Sequence, residues 1–221
     1  MRAVVFDLDG TLVDSLADLG ESMNEVLGEL SLPQHPLAAY RRFVGDGVRM
    51  LAFRALPDSS RSDECVAAAV ARLRDVYGAR WDRKTRPYAQ TTETLRRLAD
   101  LGLRLGVLSN KPHVFTVNIV ERFFSPSAFA AVLGAEAGFP RKPDPSAAIE
   151  LARRLSVPPP ECFYVGDTAT DMQTARGAGM FAIGALWGFR DADELLASGA
   201  QSLAERPRDV VTIVSAVLSS P

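Results

Sequence analysis

Two carboxylates one residue apart close the first apolar run of the chain: residues 3–11 read AVVFDLDGT, so Ala3 to Phe6 lead directly into Asp7, Asp9, Gly10 and Thr11. A continuous apolar run bounded by a glycine turn is the pattern of a buried parallel strand. Side chains alternate along a strand, so Asp7 and Asp9 fall on the same side at its end, where they can share a cation and a substrate. Like charges this close repel, and a bound cation or a shared proton relieves them. Standing alone, such a pair is more often an ordinary turn. Three further polar clusters lie downstream: Ser109-Asn110-Lys111, Arg141-Lys142-Pro143-Asp144, and Gly166-Asp167-Thr168-Ala169-Thr170-Asp171.

Each cluster follows a segment able to place it. Strands are predicted over 3–6, 103–108, 131–133, 162–165 and 181–186, alternating with helices over 92–101, 114–124, 145–155 and 171–178. Such alternation predicts a parallel, Rossmann-like sheet with helices on both faces, whose ligands sit beyond the carboxyl ends of the strands. Asp14-Ser15 is placed to cap a helix over 16–30. Residues 37–44, 48–56 and 63–77 continue with helical periodicity, and 81–87 reads as the return connection. The expected architecture is an α/β core of residues 1–14 and 85–221 with an all-helical insertion at 15–84.

Composition narrows the function classes. The 221 residues are 47% hydrophobic, enough to bury a full core, and the net charge of -2 offers no basic field for nucleic acid or an anionic membrane. Asp7 and Asp9 interrupt the N-terminal apolar run as a secretory signal, no run reaches membrane-spanning length, and a soluble cytoplasmic protein is expected. Cys65 and Cys162 form no metal or disulfide pattern and read as small buried hydrophobes. His35 and His113 read as packing or surface residues.

With four clusters in this order, the chain resembles the haloacid dehalogenase superfamily of phosphohydrolases. The resemblance implies that Asp7 is the nucleophile forming an aspartyl-phosphate and that Asp9 is the acid and base. It implies Mg²⁺ on Asp7, the backbone carbonyl of Asp9, and Asp167, with Asp171 ordering metal-bound water or Lys142. Ser109, Asn110 and Lys142 would bind the phosphoryl oxygens, and Thr11 would hold the first loop by its hydroxyl.

It also makes the insertion a cap that selects the substrate. Within it the run from Tyr40 to Arg49, with Gly45-Asp46-Gly47 as a tight loop opening a helix, resembles the specificity loop of phosphoglycolate phosphatases. The run from Ala185 to Phe189 also resembles that subgroup, and Arg49 is the expected partner of a substrate carboxylate. The reading is therefore a phosphomonoester hydrolase acting on a small phosphorylated metabolite, most specifically 2-phosphoglycolate, as a monomer or homodimer. A pyrophosphatase, a broad sugar-phosphate phosphatase and a phosphomutase share the motifs. A dehalogenase is disfavoured by Asp9 and a phosphonatase by the lysine-free stretch from Ser15 to Tyr77. An aspartyl-phosphate receiver domain is the non-enzyme alternative, which the helical insertion argues against.

Overall fold

The computed structural model describes residues 1–219. The first part of the chain runs β1 (Ala3–Phe6), β2 (Val13–Asp14), α1 (Leu16–Glu29), α2 (Tyr40–Phe43), α3 (Val48–Ala55), α4 (Asp63–Gly78) and β3 (Arg86–Pro87). It continues with α5 (Thr91–Asp100), β4 (Arg104–Pro112), α6 (His113–Phe123), β5 (Ala131–Ala135), α7 (Ser146–Arg154), β6 (Cys162–Gly166), α8 (Ala169–Ala178), β7 (Phe181–Ala185), α9 (Ala192–Ala197), β8 (Ser202–Ala204) and α10 (Asp209–Leu218).

Every residue of β1 is buried, and the strand lies inside a six-stranded parallel sheet of order β5-β4-β1-β6-β7-β8. Val4 and Phe6 face one apolar cluster, which includes Leu98 of α5, Ile119 of α6 and Val214 of α10. Ala3 and Val5 face the other, against Leu151 of α7 and Met172 of α8. The two-residue alternation thus serves two cores at once, as a strand covered on both faces requires. Chain order reverses across β1, with β4 on one side and β6 on the other, so the carboxyl end of β1 opens on the crevice between the two halves of the sheet.

The insertion has a core of its own, in which Met23 and Leu27 of α1, Leu51 of α3 and Leu73 and Tyr77 of α4 meet Tyr40 and, from the far end of the chain, Phe189. Residues 81–87, read from sequence as a plain connection, carry β3, which pairs antiparallel with β2 where the chain leaves and re-enters the core. Beside this two-stranded crossing the buried Asp18 accepts hydrogen bonds from the amides of Lys84 (2.9 Å) and Thr85 (2.8 Å) and from the Thr85 hydroxyl (2.8 Å).

Three expectations are corrected. Strand β4 extends past residue 108 to Pro112 through a register shift, so Ser109, Asn110 and Lys111 lie within the strand rather than after it. Cys65 is exposed while Cys162 is buried. In α4 the inward positions are Val66, Ala69, Leu73 and Val76, and Cys65 is out of phase with them. Residues 190–218, where the pattern predicted no elements, hold α9, β8 and α10. The last is rich in β-branched valines and becomes helical because Val210 and Val214 pack into the first core.

Replacing Asp18 by alanine strips a buried acceptor from three donors at the crossing. A loss of about 3 kcal/mol is expected, seen as a fall of roughly 10 °C in thermal midpoint, with Asp18→Asn falling between the variant and wild type. A midpoint unchanged in Asp18→Ala would show that the crossing is held by other contacts.

Candidate active site

Asp7 continues the pairing of β1, its amide donating to the carbonyl of Val165 at 2.9 Å. Its carboxylate is held through one oxygen only. Oδ1 accepts from the amide of Leu8 at 2.7 Å and pairs with Lys142 Nζ at 2.9 Å, so Oδ2 carries no hydrogen bond among the described residues. Lys142 also reaches Asp171 Oδ1 at 2.7 Å and the carbonyl of Leu108 at 3.3 Å. Asp171 closes a capping box with Thr168, whose amide and hydroxyl donate to its other oxygen, and the Tyr164 hydroxyl donates at 3.3 Å. The helix-capping and lysine-holding roles of Asp171 are therefore carried by different oxygens.

Asp167 sits between two close backbones. A Cβ on Gly10 would lie 2.2 Å from its Oδ2, and one on Gly188 2.2 Å from its Cβ, so both positions exclude any larger residue. The carboxylate accepts from the Thr11 hydroxyl (2.9 Å) and the Phe189 amide (2.8 Å), which ties the loops after β1, β6 and β7 to one another. Thr11 does hold its loop by a hydroxyl bond, and its carbonyl accepts from Trp187 Nε1 at 2.9 Å.

The Asp9 side chain turns away from these acids. It accepts from the Ser15 hydroxyl, and Lys111 Nζ lies 3.1 Å from each of its oxygens. The bond to Asp9 replaces the predicted helix cap by Ser15, whose side chain makes no capping bond, and the amide of Leu16 is met by Asp14 instead. Asn110 organises the third loop: its carbonyl oxygen accepts from the Lys142 amide at 2.9 Å, and its amide group donates to the carbonyls of Lys142 and Gly45. Ser109 and Asn110 line the same pocket as Asp7 and Asp9.

Of the insertion residues singled out, Gly45 and Gly47 line that pocket, both at positive φ, whereas Asp46 and Arg49 do not. Asp46 turns to the core, accepting from the Thr170 hydroxyl and pairing with Arg54. Arg49 is half exposed and paired with Asp63 at 2.5 Å. In this structure Arg49, expected to meet a substrate carboxylate, is turned to Asp63 rather than into the pocket. On α3 the pocket-facing positions are Val48 and Leu51, and Arg49 projects from another face of the helix.

His35 and His113 are structural, the first against Phe43 and the carbonyl of Ala55, the second accepting from the Gly134 amide. Sequence reasoning gave no role to Lys111, although a lysine next to Ser109-Asn110 at the carboxyl end of a parallel strand was the available signal. It likewise passed over Arg74 and Tyr77, which reach the pocket from α4.

Comparison with known proteins agrees with this geometry. Residues 4–185 match the family model of the haloacid dehalogenase-like hydrolases. This chain is a haloacid dehalogenase-like hydrolase. A phosphoglycolate phosphatase of Xanthomonas campestris pv. campestris is 34% identical over 210 residues, 93% of each chain. Another from Pseudomonas putida is 34% identical over 192 residues, 85% of this chain and 70% of that one. Among solved structures, a predicted phosphoglycolate phosphatase from Haemophilus somnus 129pt superposes with a TM-score of 0.88 at 27% identity, covering 97% of this chain and 98% of that one. The protein is accordingly an enzyme of the phosphatase type with an α/β core and helical cap, and the receiver-domain alternative falls. No helix among the described residues is long and apolar enough to cross a membrane.

In this hydrolase the carboxylates of Asp7, Asp167 and Asp171 each place an oxygen within 4.8 Å of the others, all buried. One lysine faces three acids. Burial foremost, and then the neighbouring Asp171, push Asp167 up to about 7, and the same causes hold Asp7 well above the usual carboxylate range against the pull of Lys142. The cluster is deficient in positive charge, and its donors are all hard oxygens. Those are the conditions that suit a divalent cation such as Mg²⁺.

A measurable pH dependence follows. Asp167 unfolded titrates near 3.8 and folded near 7, so between those values the folded chain holds a proton that the unfolded chain releases. Its contribution to stability is complete below about pH 4 and is lost as pH rises through 7. The thermal midpoint of chelator-treated protein should therefore gain more from Mg²⁺ at pH 8 than at pH 5.5, and Asp167→Asn should remove most of that difference. An equal gain at both pH values would show that the cation does not meet these carboxylates.

Proposed function

We propose that the enzyme is a Mg²⁺-dependent phosphoglycolate phosphatase of the cytoplasm, hydrolysing 2-phosphoglycolate to glycolate and phosphate through an aspartyl-phosphate on Asp7. The observation that carries the reading is the Asp7 carboxylate. It stands at the end of a central parallel strand and lines the pocket, fixed through Oδ1 by Lys142 and Leu8, with no hydrogen bond to Oδ2 among the described residues. The relatives at 34% identity, named as phosphoglycolate phosphatases, support 2-phosphoglycolate as the substrate.

Asp7 Oδ2 attacks phosphorus as the bond to the substrate alkoxide breaks, and Asp9 gives its proton to that oxygen. Water then attacks the aspartyl-phosphate, Asp9 takes up the proton, and the phosphorus bond to Asp7 breaks to restore the carboxylate. Lys142, Ser109 and Asn110 meet the phosphoryl oxygens, whose charge must stay neutralised in both steps. Mg²⁺ would be held by Asp7, Asp167 and the Asp9 carbonyl, with Asp171 keeping Lys142 in place, and when bound it supplies further positive charge to the phosphoryl group. Residues 15–84 act as the cap, which excludes water from the site as it closes.

Two substitutions test the chemistry. Asp7→Asn keeps the shape and removes the nucleophile, so turnover of phosphoglycolate should vanish. The thermal midpoint should hold or rise, because one of three repelling carboxyls is gone. Asp9→Asn should cost on the order of 10²- to 10⁴-fold in kcat, with dephosphorylation slowed even for an aryl phosphate whose leaving group needs no proton. Near-native steady-state rates in Asp7→Asn would overturn the aspartyl-phosphate mechanism. Wild-type rates in both steps for Asp9→Asn would leave Asp9 as a turn residue only.

A further inference from the structure

With Arg49 outside the pocket, the group that recognises the rest of the substrate must be sought among the residues that line it. Asp7 and Asp9 are its only acids among the described residues, and both belong to the phosphoryl end. Beyond them the walls contributed by Leu19, Val48, Leu51, Leu73 and Phe115 are hydrocarbon. Such walls cannot satisfy the hydroxyls of a polyol, each of which would lose water without a replacement partner.

Apart from Ser109 and Asn110 at the phosphoryl end, three polar side chains break this lining, and each can donate a hydrogen bond. Lys111 is buried at the strand end, its ammonium bonded to Asp9 on one side and lying 4.5 Å from the centroid of the Tyr77 ring on the other. An ammonium carries three donors, and Asp9 is the sole acid that it meets among the described residues. The Tyr77 hydroxyl is buried, at 4% exposure of the residue, and lies beside the Lys111 ammonium with no acceptor of good geometry among the described residues. A buried hydroxyl proton without an acceptor is costly, and an oxygen brought in by a ligand would relieve it. Arg74, one turn back along α4 at the pocket mouth, is paired with Glu136, and both partners are about half exposed. An ion pair so exposed is weak and exchangeable for another anion at little cost.

We propose that Lys111, Tyr77 and Arg74 form the binding site for a second anionic group of the substrate, a carboxylate carried close to the phosphoryl group, and so select small phosphorylated acids over phosphorylated sugars. The proposal rests on the phosphatase reading of Asp7 and Asp9 for the other end of the substrate. Lys111 comes from the core, whereas Tyr77 and Arg74 come from the cap. The site is complete only with the cap seated, so the energy of binding the carboxylate is available to hold the cap closed during the reaction. The apolar walls remove water around the carboxylate and strengthen its pairing with the two cations.

The test uses Tyr77→Phe, which keeps the ring under Lys111 and removes only the hydroxyl, and Arg74→Gln, an exposed change that the fold can accept. Neither alters the contacts of Asp9. Two quantities are read for each protein in the presence of Mg²⁺: the ratio of kcat/KM for phosphoglycolate to that for an uncharged aryl phosphate, and the ratio of calorimetric affinities for phosphonoacetate and methylphosphonate. Wild type should favour the acid in both ratios. Arg74→Gln should lower each by about one to two orders of magnitude, the scale of a charge-assisted bond, and Tyr77→Phe by about tenfold. The fall in phosphoglycolate turnover should appear in kcat as well as KM, since closure is affected. Ratios unchanged in both variants, or a wild type that does not favour the acid, overturn the proposal. Wild-type protein that binds phosphonoacetate selectively yet hydrolyses no phosphomonoester would instead overturn the phosphatase reading and support the anion site.

Discussion

The arrangement on which the rest depends is a set of three buried carboxylates, Asp7, Asp167 and Asp171, gathered around the single ammonium of Lys142. Such a cluster opposes folding, because its acids are desolvated and repel one another. It persists because every member is fixed by structure formed elsewhere. Asp7 extends a strand buried on both faces, Asp171 belongs to the capping box of α8, and Asp167 is wedged where only glycine fits on either side. The parallel sheet is what brings them together, since strands running the same way release their loops at one edge, and the chain reversal across β1 opens a crevice there.

The cap is a second body with its own apolar core, joined to the first by contacts that differ in kind. At the crossing, β2 pairs with β3 and Asp18 clasps the returning chain. Over the site polar contacts, Asp46 to Thr170, Arg41 to the carbonyl of Gly188, Arg190 to the carbonyls of Arg41 and Val44, and Asn110 to the carbonyl of Gly45, stand beside apolar ones in which Phe189 enters the cap core and Phe115 meets Tyr77. The polar contacts can exchange with water at modest cost, the apolar ones of Phe115 and Phe189 hold the cap against the core, and the crossing keeps it in register. The division suits a site that must admit a charged substrate and then exclude water.

Much of this was legible in the chain itself. Contiguous apolar runs ending in Asp, Ser-Asn and Gly-Asp mark strands whose carboxyl ends carry chemistry, and the run from 3 to 11 locates Asp7 without any structure. Local order decides such features, because strand alternation, glycine turns and helix caps act over a few residues. Lys142 was also within reach, as a lysine on a loop between two of these strand ends.

What the tertiary structure alone decided is which side chains point into the pocket. Arg49 carries the right charge in a suggestive loop, yet its place on α3 sends it to Asp63, while Arg74 and Tyr77, from the next long helix of the insertion, enter the site from α4. Asp9 shares a motif with Asp7, yet it faces Lys111 instead of the acidic cluster. The physical reason is that a helix offers several faces to whatever packs against it. The choice among them is made by the apolar contacts of the whole insertion, a sum over residues far apart in the chain. Local sequence determined the chemistry at the ends of the strands, and long-range packing determined what that chemistry can recognise.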